Sequence, residues 1–116
     1  MTYLSISVDH RRDFSVVSLA GDLDRASEPT FCHALDHALT RHPPKIIIDA
    51  AGLGFCDSRG LCALITHQRH AETHGGSLRL IGVHGPLARL LTITQLVDMF
   101  PPYTGLDQAA HWPGTS

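Results

Sequence analysis

The chain has 116 residues, 43% of them hydrophobic, with nine Lys and Arg against eleven Asp and Glu and a formal charge of −2. That length suits one domain with its own core, the scattered cations argue against nucleic acid as a partner, and the longest apolar runs, such as Ile46-Ile47-Ile48, fall far short of the roughly 20 residues that insert across a bilayer. No basic start followed by an apolar stretch is present at the N-terminus, and Cys32, Cys56 and Cys62 lack paired spacing, so reduced thiols in a cytoplasmic protein are expected.

Leu4, Ile6 and Val8 alternate with Ser5, Ser7 and Asp9, the period of a half-buried strand. The polar turn His10-Arg11-Arg12-Asp13 leads into a second apolar run from Phe14 to Ala20, which predicts a β-hairpin ended by Gly21. Asp22 to Pro29 carries helix-start chemistry. Asp24 or Ser27 is a candidate cap, and Pro29 suits a first turn, where its missing N–H has no helical acceptor in any case. Phe31, Leu35, Ala38 and Leu39 recur at helical spacing until His42-Pro43-Pro44 stops the helix. Ile46, Ile47 and Ile48, β-branched and apolar on both faces, predict a strand that is central or covered on both sides. Ala50 to Phe55, with Gly52 and Gly54, reads as a connecting loop. A second long helix begins at Asp57-Ser58, buries Leu61, Leu64, Ile65 and Ala71, and ends at His74-Gly75-Gly76 with a glycine suited to the left-handed position. Leu78 to Val83 predicts another strand, and Gly85-Pro86 opens a helix with Leu87, Leu90 and Leu91 on its apolar side. Met99-Phe100 reads as a short edge strand, because Pro101 and Pro102 do not suit a central one, and residues 111–116 read as a flexible tail. The sum is a single α/β domain with its core at about residues 4–110, a mixed sheet of four to five strands covered by helices.

Nine histidines raise the question of metal. His67, His70 and His74 stand at i, i+3 and i+7 on the second long helix, where three rings can converge, yet its core face is already supplied and histidines near a helix C-terminus are ordinary surface residues. No metal and no cofactor is expected. Cys56 lies just before a helix, where a thiolate is favoured, but it has no assignable base and reads more simply as a small buried residue. Gly52-Leu53-Gly54 lacks the later glycine and lysine of a phosphate loop. No enzymatic constellation is complete. The strongest local signal is Phe55-Cys56-Asp57-Ser58-Arg59-Gly60-Leu61. Asp57 and Ser58 there are either helix caps alone, or Ser58 is a hydroxyl that carries a phosphate at the positive end of the helix dipole without unfolding the domain.

Gly21-Asp22-Leu23-Asp24, Ile46-Ile47-Ile48-Asp49, the segment from Phe55 to Leu61, Gly75-Gly76-Ser77-Leu78-Arg79-Leu80-Ile81-Gly82 and Leu90-Leu91 occur in an order and spacing that resemble a STAS domain over nearly the whole chain. Small single-domain members of that family resemble bacterial anti-sigma factor antagonists. The resemblance implies that the chain, when unphosphorylated, binds an anti-sigma factor that is also a serine kinase. It implies further that phosphorylation at Ser58 releases that partner, and that a serine phosphatase resets the switch. Asp22 and Asp24 at the start of the first helix, with Asp57, Ser58, Arg59 and Gly60, are the expected partner-binding residues, since both helix N-termini follow strand ends and emerge at one edge. Gly60, without a side chain, is expected to admit a partner's backbone. Two features depart from the family pattern: Arg59 directly follows the acceptor serine, and Thr94-Gln95-Leu96 stands where a glycine-bearing turn is common. The rival expectation is a non-switching STAS subunit of a transport or stress-signalling assembly.

Overall fold

The computed structural model describes residues 3–111. The antiparallel pair β1 (Leu4–His10) and β2 (Ser15–Leu23) forms the expected hairpin, and β3 (Lys45–Cys56) and β4 (Ser77–Ile81) add to it in parallel, giving the order β1-β2-β3-β4. The helix α1 (Glu28–Ala38) connects β2 to β3, and α2 (Ser58–Thr73) connects β3 to β4. α3 (Gly85–Ile93) and the single turn α4 (Leu106–Ala109) follow.

One face of the sheet carries the main core. Val17, Leu19, Ile46, Ile48, Leu78 and Leu80 pack against Phe31 and Leu35 of α1, Leu61 and Leu64 of α2, and Leu87 and Leu91 of α3. Full burial of such a side chain stabilises by about 1.5–3 kcal/mol, so this stripe, rather than any surface ion pair, attaches the helices. The opposite face has a smaller core of Ile47, Ile81 and Ala109, which explains why the strand begins as an unbroken isoleucine run: it is covered on both sides.

Four expectations are corrected. β3 continues through the predicted loop 50–55 to Cys56, and β2 continues past Gly21 to Leu23. The β2–β3 register slips between Ser18 and Ala20 and again between Gly21 and Asp22, so β3 carries an extra residue at each point. These bulges erase the alternation by which a strand is recognised. Gly52 belongs to the first of them, since a Cβ there would stand 2.7 Å from the Leu19 carbonyl oxygen. Thirdly, Met99 and Phe100 are not a strand. Phe100 is buried in a turn in which its N–H donates to the Leu96 carbonyl, and the strand-like pairing beyond β4 is one parallel bridge between Ile81 and Tyr103. Prolines 101 and 102 deny donors to a longer ladder. Fourthly, Asp22 lies in β2 and Asp24 in the turn after it, so neither stands in the first helix. The tail at 112–116 lies outside the described residues.

Gln95 closes α3 at φ 59°, and its N–H donates to the Thr92 carbonyl. The turn is therefore made in the left-handed region without glycine, at a cost of about 1–2 kcal/mol. No helix among the described residues is long and apolar enough to cross a membrane.

Candidate functional site

β2 and β3 run parallel, so their C-terminal ends lie together and the chain leaves both at one edge of the sheet. Asp57 is the hub of that edge. Its Oδ1 accepts from the Gly60 N–H at 2.9 Å, the side-chain cap of α2, and its Oδ2 accepts from the Arg25 N–H at 3.3 Å. The Asp57 N–H donates to the Leu23 carbonyl at 3.2 Å. One residue thus caps a helix and ties it to the β2–α1 turn.

That turn is closed by reciprocal bonds: the Ser27 N–H donates to Asp24 Oδ1 at 3.1 Å, and the Asp24 N–H to Ser27 Oγ at 3.0 Å. The Ser27 hydroxyl donates to the Asp22 carbonyl at 2.7 Å. Asp24 and Ser27 are both nearly buried. Asp24 therefore builds the turn, and Asp22 is half-buried beside it. Across the groove, Arg59 Nε lies 3.4 Å from Glu28 Oε2, an ion pair between the first turns of α2 and α1. Being partly exposed, it contributes about 0.2–1 kcal/mol.

Ser58 is the first residue of α2 and is exposed. Because Asp57 supplies the cap, the Ser58 hydroxyl has no hydrogen-bond partner among the described residues. Both readings of the Asp-Ser pair are therefore divided between its members: the aspartate is the cap, and the serine is left with an accessible hydroxyl at the positive end of a 16-residue helix.

Gly60 differs from the expectation placed on it. It is buried, and a Cβ there would lie 2.7 Å from both Leu23 Cγ and the Leu23 carbonyl oxygen and 3.0 Å from Cys56 Sγ. The missing side chain makes room for the molecule's own β2 end, not for a partner. Cys56 is buried as well; burial first, then the negative charge of Asp57, pushes its thiol up to about 12. It is a packed, neutral thiol at neutral pH.

The structure brings together Asp22, Asp24, Asp57, Ser58 and Arg59, and adds residues that the sequence reading missed. Asp24, Arg25, Ala26, Phe55 and Asp57 line a shallow open groove. The Phe55 ring, 43% exposed, forms its apolar part. The second bulge pairs Gly21 with Leu53 and Asp22 with Phe55, skipping Gly54, and so turns Phe55 outward while Leu53 and Cys56 point into the core. The sequence holds one signal for this, the glycine before the phenylalanine.

The three helical histidines do not converge. His67 is 6% exposed, its Nδ1 faces the Ala63 carbonyl at 2.7 Å and its Nε2 faces Asp36 Oδ1 at 3.1 Å, so the expectation of a surface residue fails there. His70 and His74 stack on each other with ring centroids 4.5 Å apart. Among the described residues no group of three His, Cys, Asp or Glu side chains is placed to hold a metal ion.

The family model described as "Mlab, STAS domain" matches residues 6–101. The chain is 29% identical over 101 residues to an anti-sigma F factor antagonist of Paenibacillus polymyxa, covering 86% of each. Its fold is similar to the crystal structure of an anti-sigma factor antagonist from Mycobacterium paratuberculosis, with a TM-score of 0.80 and 28% identity over 92% of this chain and 91% of that one. It is also similar in fold to the Bacillus cell fate determinant SpoIIAA in its phosphorylated form, with a TM-score of 0.68 and 19% identity over 86% and 92% of the two chains. A mixed four-stranded sheet, a capped serine-bearing helix at its edge and a family match over most of the sequence agree: the chain belongs to the STAS domain family.

Proposed function

We propose that this protein is a cytoplasmic anti-sigma factor antagonist switched at Ser58. Unphosphorylated, it binds an anti-sigma factor that is also a serine kinase, using the face made by Asp22, Phe55, Asp57, Ser58 and Arg59. The kinase transfers the γ-phosphoryl group of ATP to the Ser58 oxygen, which loses its proton, and the complex separates. A serine phosphatase restores the hydroxyl by hydrolysis. This domain supplies the acceptor and the surface, and its partners supply the chemistry.

The observation that carries this reading is the division of labour at the start of α2: Asp57 caps the helix, so Ser58 is exposed and structurally idle. A phosphate on Ser58 adds about −1.5 to −2 charge at the favourable end of the helix dipole, so the fold tolerates it. The bound partner does not. A dianion arriving beside Asp57 in a desolvated interface is opposed by repulsion and by loss of hydration, and 1.4 kcal/mol already means about tenfold in affinity. The anti-sigma factor antagonists it resembles support the same partner class.

The test is capture of partners by the purified chain, followed by incubation with the recovered kinase and ATP, read by intact mass and peptide mapping. One phosphate on Ser58 and none on the Ser58→Ala variant is the expected result. Ser58→Ala keeps its partner, whereas Ser58→Asp loses at least about tenfold in affinity with little change in melting temperature. An unmodified Ser58 with every kinase recovered, or equal binding of the phosphorylated form, transfers the case to a non-switching subunit of a larger assembly.

A further inference from the structure

The opposite end of the sheet holds a second concavity, away from the switch. Lys45 opens the 12-residue strand β3 and Cys56 ends it. At about 3.3 Å per residue this separates the two ends by roughly 35 Å. The β1–β2 turn and the α1–β3 connection meet there around a cavity of about 310 Å³ lined by Arg12, Asp13, Phe14, Arg41, His42 and Lys45, with Pro43. Three permanent cations face one carboxylate, on a chain whose overall charge is −2.

The charge is held in place before any ligand arrives. Arg41 donates through Nη2 to the carbonyl oxygens of Arg11 at 2.6 Å and Arg12 at 3.2 Å, and through Nη1 to the Phe14 carbonyl at 3.2 Å and Ser15 Oγ at 3.1 Å. Ser15 is itself 1% exposed and receives a second contact from His10 Nδ1 at 2.9 Å. These acceptors fix the guanidinium without cancelling its charge, because carbonyl and hydroxyl oxygens are neutral. The entropy of ordering that side chain has been met in the fold itself. The Arg12 side chain has no ion pair or hydrogen bond among the described residues. A concave site with one sign of charge in excess focuses its potential and concentrates counter-ions of the opposite sign.

We propose that this cavity binds a small phosphate-bearing anion, held by Arg12 and Lys45 at the rim over the fixed guanidinium of Arg41. The site is independent of the proposed switch at Ser58 and goes beyond it.

The test is a titration of the full chain, labelled with nitrogen-15, with inorganic pyrophosphate and in parallel with ADP, in 0.15 M NaCl. There the Debye length is about 8 Å, which suppresses diffuse attraction while leaving contact pairs. Saturable amide shifts confined to residues 11–15 and 41–45 are expected, weakened about tenfold or more in the Arg12→Gln/Lys45→Gln variant. Arg12→Gln alone, in an exposed turn, serves if the double variant does not fold. Tighter binding of ADP than of pyrophosphate identifies a nucleotide as the source of the phosphate; the reverse identifies an inorganic or terminal phosphate group. Shifts that do not saturate, that spread over every basic residue, or that persist undiminished in the variants overturn the proposal. Shifts at residues 57–60 without shifts at 41–45 also overturn it, and leave the reading of Ser58 untouched.

Discussion

At one end of the sheet the Asp57 carboxylate accepts from the N–H groups of Gly60 and Arg25; at the other the Arg41 guanidinium donates to three carbonyls and the Ser15 hydroxyl. Each side chain ties a helix end to a neighbouring turn. The difference lies in what is left over. Asp57 spends its charge on backbone dipoles at a helix start and frees the adjacent Ser58 from any structural duty, so that end can change its charge without loosening. Arg41 is satisfied by neutral oxygens, so its positive charge persists in a place too firmly bonded to rearrange. One end can accept a change of charge without loss of its bonds, and the other holds its charge fixed.

Substitutions at three positions break or sharpen that contrast. The largest effect is expected at Gly60. Its Cβ position already overlaps the Leu23 backbone, so Gly60→Ala costs about 1–3 kcal/mol through overpacking, and Gly60→Leu leaves no cooperative urea transition at 25 °C. A folded Gly60→Leu protein that fails only in partner binding would return Gly60 to the interface. Next comes Arg41→Leu, which removes four hydrogen bonds at once, two of them part-buried, and leaves the buried Ser15 hydroxyl with His10 as its remaining partner. The loss is about 2 kcal/mol, measured from the shift in denaturation midpoint. Asp57→Ala is the smallest, about 1 kcal/mol, the usual loss of a side-chain cap, because of the two N–H groups it frees that of Arg25 is exposed and only that of Gly60 is part-buried. If Asp57→Ala proves costlier than Arg41→Leu, the Ser58 end is the stiffer one and the contrast is wrong.

The hairpin, both long helices and the isoleucine strand were legible because each is a local pattern: alternation, helical recurrence, or a β-branched run bounded by punctuating residues. Gly75 at φ 83° ends α2 in the way its position after His74 predicts. The end of β3 was illegible for the converse reason. Two bulges replace its alternation with paired outward steps at Ala51-Gly52 and Gly54-Phe55, a pattern indistinguishable in one dimension from a glycine-bearing loop. Phe55 was missed with it, since which way a ring points depends on the register with β2. His67 was misread as a surface residue because the α1 side of the helix, with Phe31 and Asp36, cannot be located from α2 alone.

By itself the sequence determined the order of elements from β1 to α3, the fold class and the Asp57-Ser58 start of α2, since all three follow from backbone preferences and hydrophobic period within short segments. Only the tertiary structure decided which residues of that start serve the fold and which face outward. Gly60 turned out to be internal because β2 ends against it, Asp24 because Ser27 closes the turn around it, and Ser58 remained exposed because Asp57 had already taken the cap. The gathering of Arg12, Arg41 and Lys45 was likewise beyond the reach of sequence. Those charges are separated along the chain, and they meet only because the hairpin turn and the α1–β3 connection converge at one end of the sheet, where Coulomb attraction depends on distance in space.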